Sequence, residues 1–263
     1  YDAGFGGLDI LRGIVSVLPQ LNYVYLGDTA RVPYGPRKWK EIYEFTKQAV
    51  DFLFAHDCEL IILACNTASS VSLRKIQQEY LPKYPGKRVL GVLRPSVEEA
   101  VMVTKNKRVG VIGTEATINS NVFKVELQKL NPKIEVFQRA CPLLVPLVES
   151  GEQDSLKSKT VLKKYLAPLL REEIDTLILG CTHYGILEKH LKKIVGPKVE
   201  IISEARIVPQ KLKDYLIRHQ EIEAKIQKMG EIVFYSTDLN GKFEELGGKF
   251  FGKKIKALKA TLG

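Results

Sequence analysis

Two cysteines in this chain sit in matching surroundings. The run Leu60-Ile-Ile-Leu-Ala-Cys65-Asn66-Thr67 is echoed by Thr176-Leu-Ile-Leu-Gly-Cys181-Thr182-His183. Each is an apolar stretch, a small residue, the Cys, and two polar residues where a helix should start. A thiol, with a free pKa of about 8.5, can take or give a proton near neutral pH. Two such groups on opposite walls of a cleft, one thiolate and one thiol, can remove a proton from one face of a carbon and return one to the other. A single base cannot easily reach both faces. The carbon acid is far weaker than a thiol, so preorganised donors must also stabilise the charge that develops on the substrate carboxylate.

The flanking residues suit that chemistry. Asn66, Thr67 and Thr182 follow the cysteines at the expected helix starts, where backbone N–H groups and the helix dipole favour anions. The same surroundings are expected to lower a thiol pKa. His183 is placed to hydrogen-bond Cys181 or its substrate, and Asp2 to serve Cys65 across the cleft. A plainer reading makes Asn66 or Thr182 a helix cap and each Cys a packing thiol. One isolated strand-end Cys favours that plainer reading; two in matched contexts favour function. The other two cysteines carry weaker cases. Cys58 is expected to be a buried or half-buried apolar filler and Cys141 to pack in the loop from Ala140 to Gly151. No Cys pair forms Cys-x-x-Cys or a zinc spacing, no metal site is expected, and a disulfide is not expected in a chain without a secretion signal. His56, His190 and His219 fall among charged residues on expected helices and read as surface.

The elements that must hold these residues are short Val-, Ile- and Leu-rich runs alternating with longer amphipathic stretches. That is the pattern of βαβ units and a buried parallel sheet. Strands are expected at Tyr23–Leu26, Leu60–Ala64, Val89–Leu93, Val109–Ile112, Ile134–Phe137, Thr176–Leu179, Val199–Ile202 and Glu231–Tyr235. Helices are expected over Trp39–Ala55, Ser69–Tyr80, Ser120–Leu130, Leu156–Leu170 and Glu188–Val195, and the Lys-rich run from Lys249 to Lys259 also has helical spacing. The first residues, Tyr1-Asp2-Ala3-Gly4, read as a strand end entering a Gly-rich turn, with part of that strand expected before Tyr1. Two halves then repeat one pattern: Asp2–Gly7, Tyr23–Gly35, Leu60–Ser69 and Val89–Ser96 correspond to Val109–Ile118, Ile134–Gly151, Thr176–Tyr184 and Val199–Ala205. The fold class is therefore α/β, with two pseudo-symmetric, doubly wound parallel-sheet domains and the active site between them. Residues 1–94 with 208–263 form the first domain, and residues 95–207 form the second. Both cysteines fall at carboxyl ends of parallel strands, where open α/β sheets bind ligands.

Composition sets the remaining bounds. The 263 residues are 45% hydrophobic and 27% charged, ordinary for a globular protein. No apolar run approaches the roughly 18–20 residues that span a bilayer, so neither a membrane partner nor any compartment but the cytoplasm is expected. The formal charge is +10, from 40 Lys+Arg against 30 Asp+Glu. Its lysines are scattered along helices without interleaved aromatics, so a solvated surface is expected rather than a nucleic-acid partner.

The motifs Asp2-Ala3-Gly4-Phe5-Gly6-Gly7-Leu8, Gly27-Asp28-Thr29-Ala30-Arg31-Val32-Pro33-Tyr34-Gly35, Ala64-Cys65-Asn66-Thr67-Ala68-Ser69, Gly113-Thr114-Glu115-Ala116-Thr117, Ala140-Cys141-Pro142 through Gly151, and Gly180-Cys181-Thr182-His183-Tyr184 resemble those of the glutamate racemases, within the aspartate/glutamate racemase superfamily. They are spread in order over about four-fifths of the chain. The resemblance implies interconversion of L- and D-glutamate without pyridoxal phosphate or another cofactor, supplying D-glutamate for peptidoglycan, by a protein that commonly forms a homodimer. It implies that Cys65 takes the proton from D-glutamate and Cys181 from L-glutamate, assisted by Asp2 and His183, with Glu149 supporting His183. It also implies substrate contacts from Asp2, Ala3, Tyr34, Gly35, Asn66, Thr67, Thr114, Thr117, Thr182 and His183; for Thr114 and Thr117, capping of the following helix is an equal reading. Two positions depart from the family pattern. Ala3 stands where the family usually has Ser, removing a hydroxyl worth about 0.5–1.5 kcal/mol as a net hydrogen bond. Arg94-Pro95-Ser96 stands where Glu-Pro-Gly is usual, changing the charge at the expected junction.

Two other readings stay open on sequence alone: an aspartate racemase or related two-cysteine isomerase, and an amino-acid binding protein without turnover. His183 favours the glutamate type, because the sister groups tend to carry Glu there, and plain binding needs no thiols. In deuterated buffer, L-glutamate is expected to gain α-deuterium faster than L-aspartate, as followed by NMR; the reverse order would sink the choice of substrate.

Overall fold

The computed structural model describes residues 1–263. Nine strands carry the fold: β1 (Tyr23–Gly27), β2 (Leu60–Leu63), β3 (Arg88–Gly91), β4 (Arg108–Gly113), β5 (Glu135–Ala140), β6 (Thr176–Gly180), β7 (Glu200–Ile202), β8 (Ile232–Ser236) and β9 (Ala257–Lys259). Every pairing is parallel, so helices must carry the chain back across the faces. One sheet has the order β5-β4-β6-β7. In the other half, β2 pairs with β3, and β1 with β8, which pairs with β9.

The first two residues join those two pieces. Asp2 bridges Gly27 at the end of β1, while the Tyr1 amino group donates to Ile62 O at 2.9 Å and Ala64 N donates to Tyr1 O at 2.8 Å. Tyr1-Asp2 thus lies between β1 and β2, a strand end as expected. The order β1, Tyr1-Asp2, β2, β3 then repeats β5, β4, β6, β7, and the repeat read from the sequence is a repeat of sheet topology. A cavity of about 320 Å³ lined by Tyr23, Tyr25, Leu60, Ile61 and Leu212 is separate from both matched cysteines: neither Cys65 nor Cys181 lines it.

The core crosses between the halves. A cluster of 30 buried residues runs from Phe5, Leu8, Tyr25 and Phe243 through Cys181 and Tyr184 to Leu162 and Leu166. Helix Gly7–Val17 packs tightly on helix Glu204–Arg218, and Gly13 allows the approach: a Cβ there would lie 2.7 Å from both Ala205 O and Pro209 Cγ.

Four expectations need correction. The run Lys249 to Lys259 is not one helix. Helix Lys242–Phe251 stops at Gly252, whose φ of 80° is the left-handed stop that glycine adopts freely, and the chain then extends into β9. The strand expected at Val89–Leu93 ends at Gly91, because Leu93 already opens helix Leu93–Val103. His56 is half-buried rather than surface: its Nδ1–H donates to Phe52 O and its ring stacks on Phe52, with centroids 4.1 Å apart. His190 is half-buried as well, 2.7 Å from Asp154. Arg94 pairs with Glu98 (2.8 Å) and Glu126 (3.4 Å) in exposed bridges, a surface network worth at most about 1 kcal/mol per pair.

Gly13→Ala gives a sharp check of the helix contact. At a free helical position this change stabilises by about 0.5–1 kcal/mol. Here the new methyl meets backbone, and overpacking of this kind costs about 1–3 kcal/mol. Urea denaturation should show a net loss of stability; a gain would mean that the two helices are not held together at Gly13.

Candidate active site

β2 ends at Leu63, and two residues on Cys65 caps helix Asn66–Lys75, its Sγ accepting from Ala68 N at 3.5 Å. β6 ends at Gly180, and Cys181 leads directly into the tight helical turn Thr182–Leu187. The small residue before Cys181 is required, since a Cβ on Gly180 would fall 2.9 Å from Phe123 and 3.0 Å from Ile112 O. Both thiols are almost wholly enclosed, Cys65 at 7% and Cys181 at 8% exposure.

Asp2 links the two walls. One carboxylate oxygen accepts from Gly4 N at 2.9 Å and the other from Thr182 Oγ1 at 3.3 Å. Its charge raises the proton affinity of both Cys65 and Cys181, and Cys181 also responds to charge on Cys65. The chain around Asp2 is pressed against the Cys181 side: a Cβ on Gly6 would overlap Thr182, 2.4 Å from its Oγ1.

On the Cys181 side, the sulfur lies 3.9 Å from His183 Nδ1, and His183 Nε2 lies 3.2 Å from Glu149 Oε1. An N–H at Nε2 donating to Glu149 leaves Nδ1 as an acceptor facing the thiol. Glu149 closes helix Leu144–Glu149, and Lys242 Nζ stands 3.9 Å from its other oxygen. Burial would raise the Glu149 carboxyl, but the His183 hydrogen bond, with the charges of His183 and Lys242, holds it below the usual value.

On the Cys65 side, Thr67 Oγ1 lies 2.9 Å from Thr114 Oγ1 and 3.4 Å from Thr117 Oγ1. Thr114 also caps helix Glu115–Asn119 by accepting from Thr117 N, so capping and a place beside Thr67 go together. Asn66 is no cap; its Nδ2 donates to Glu204 Oε2 at 2.8 Å. Ala3 is buried, and its backbone N–H helps to hold a negative Cys65 sulfur. The Tyr34 hydroxyl is turned to Tyr1 OH (2.6 Å) and Asp28, and the carbonyls of Tyr34 and Gly35 accept from Arg37 N and Ala116 N, which leaves the two backbone N–H groups for a ligand. A Cβ on Gly35 would come within 3.1 Å of Thr114, so this loop closes on the second half.

The expected lowering of the thiol pKa does not hold. Burial pushes Cys65 up to about 12, with Asp2 adding to the rise, against the pull of the Ala68, Ala3 and Thr67 N–H groups. Burial also pushes Cys181 well above its usual value, opposed by the His183 backbone N–H. The helix-start donors act as expected in direction, but desolvation outweighs them. Cys58 and Cys141 are also raised, to about 11 and about 12, chiefly by burial, and both pack as expected.

Sequence reasoning missed Glu204 and Lys242. Glu204 follows β7 at its carboxyl end, the same topological position as the two cysteines, which is the signal that points to it.

Residues 6–211 match the Asp/Glu/Hydantoin racemase family. The chain belongs to it. A glutamate racemase of Chlorobaculum tepidum is 40% identical over 255 residues, covering 97% of this chain and 92% of that protein. The crystal structure of glutamate racemase isoform RacE1 from Bacillus anthracis superposes with a TM-score of 0.90 at 35% identity, covering 99% of this chain and 96% of that one. That of the Francisella tularensis glutamate racemase, in complex with D-glutamate, superposes with a TM-score of 0.89 at 32% identity, covering 99% and 95%. The racemase fold is therefore common to all three.

The Glu149 geometry carries a pH prediction. A carboxyl lowered by folding contributes stability at neutral pH that disappears as pH falls through the ordinary carboxylate range, about pH 4, and then through its own lower value. Glu149→Gln should be less stable than the parent at neutral pH, with the gap closing on acidification in urea titrations. A gap that stays constant with pH would show that the His183 contact does not hold the charge.

Proposed function

We propose that this racemase interconverts L- and D-glutamate, with Cys65 and Cys181 as acid and base on the two faces of the substrate and no cofactor taking part. The observation that carries the reading is the pair of matched thiols at the carboxyl ends of β2 and β6, both coupled to one carboxylate, Asp2. The relatives named as glutamate racemases, one of them holding D-glutamate, support the choice of substrate.

In the direction from D to L, the Cys65 thiolate takes the α-proton and the Cys181 thiol gives its proton to the opposite face. The sulfurs exchange states, and the reverse direction resets them, so no proton is consumed overall. His183, held by Glu149, stands ready to exchange a proton with Cys181, and Asp2 plays the matching part for Cys65. Asn66, Thr67, Thr114, Thr117, Thr182, His183, Ala3 and the Tyr34-Gly35 backbone surround the substrate's carboxylates and ammonium. A thiol raised to about 12 makes a stronger base against a weak carbon acid, but forming its thiolate at neutral pH costs about 7 kcal/mol. The substrate's own ammonium, arriving beside the sulfur, offsets part of that cost.

Supply of D-glutamate for peptidoglycan follows from the same reading. Four free thiols suit the cytoplasm, where thiols stay reduced. A homodimer is the assembly proposed with this activity, and sedimentation would test it.

Cys65→Ala and Cys181→Ala should each lower interconversion by at least about a thousandfold, in line with loss of one acid–base group, while circular dichroism shows the fold intact. Full activity in either variant would refute the two-thiol scheme.

A further inference from the structure

Apart from Asp28, which pairs with Arg31, the most enclosed acid in the molecule outside the acid–base scheme is Glu204. It opens helix Glu204–Arg218 immediately after β7, is 3% exposed, and has no Lys or Arg partner. Its one hydrogen bond is to Asn66, whose Nδ2 donates to Oε2 at 2.8 Å. Asn66 is itself 2% exposed and adjoins Cys65. On its other side Glu204 shares a small enclosed space with Cys181, Thr182, Gly185 and Ser203. The Asn66–Glu204 bond therefore runs from the Cys65 wall to the Cys181 wall.

Both partners keep an orphan: Asn66 Oδ1 and Glu204 Oε1 are buried and without a hydrogen-bond partner. Polar atoms left unpaired at this depth are costly and mark places where a ligand completes the bonding. We propose that Glu204 is a positioning residue: by accepting from the Asn66 amide nitrogen it turns Asn66 Oδ1 toward the cleft, as the acceptor for the substrate's ammonium. This rests on the reading of Asn66 as a substrate contact.

The chemistry of each group fits. An amide released from Glu204 can turn over and present N–H groups, which repel an ammonium. Burial pushes the Glu204 carboxyl well above the usual range, with Asp2's charge adding to the rise and only the Asn66 bond opposing it. A neutral acid accepts through its carbonyl oxygen without setting a second negative charge beside Cys181 and Asp2. A neutral amide of the same length can do the same.

The test is steady-state kinetics on the full chain with L-glutamate. Glu204→Leu keeps the volume but removes the acceptor, and should raise KM by about tenfold, the scale of one hydrogen bond, with kcat within about threefold. Glu204→Gln should restore KM to within about twofold of the parent. Asn66→Ala should raise KM to the same extent, and adding Glu204→Leu to it should change nothing more. An unchanged KM in Glu204→Leu, or a full additional loss in the double variant, would overturn the proposal while leaving Asn66 as a substrate contact. An unchanged KM in Asn66→Ala would instead remove the reading beneath it. If Glu204→Leu does not fold, Glu204→Gln decides alone: a parental KM supports the proposal, and a rise of about tenfold or more overturns it.

Discussion

The placement of one buried carboxylate constrains the site more than any other feature. Asp2 is 1% exposed, it ends the short segment that joins β1 to β2, and it reaches both thiol-bearing walls. Two backbone and side-chain donors, Gly4 N and Thr182 Oγ1, make its burial tolerable. The glycines around it exist to permit that closeness: Gly6 lies against Thr182, and Gly7 against Asp2 itself. The charge is shared by both sulfurs, so neither half of the site can be described without the other.

The two walls are similar in backbone and different in proton partners. Cys65 sits in a nest of N–H groups with Asp2 nearby, whereas Cys181 looks toward the His183–Glu149 pair and on to Lys242. The repeated sheet topology gives the walls a matched frame, and the residues that differ between the repeats give the asymmetry. That arrangement suits a reaction run in both directions on mirror-image substrates, because each face can be tuned separately.

Much of this was legible in the chain itself. The strand endings at Cys65 and Cys181, the parallel sheets and the repeat all follow from local apolar patterning and from the small residue before each Cys. What was not legible depends on distant packing. The helical spacing of the Lys249 to Lys259 run is real, but Gly252 interrupts it and β9 is only three residues long, held by pairing with β8. The helix-start donors beside the cysteines were read correctly, yet the net shift of each thiol is set by burial, which no local window reveals. Glu204 looks like an ordinary helix-opening acid until Gly13 lets helix Gly7–Val17 close over the start of its helix. Tyr34 carries a hydroxyl that suggests a ligand contact, and only the fold shows it committed to Tyr1 and Asp28.

The near-complete enclosure of the two sulfurs has a consequence for how the protein ages and how it is inhibited. Oxidants and bulky electrophiles in solution have little access to either sulfur in this arrangement, so enclosure limits covalent damage. A small electrophile that reached either sulfur would meet a thiol that burial keeps protonated, so selectivity rests on proton removal as well as on admission.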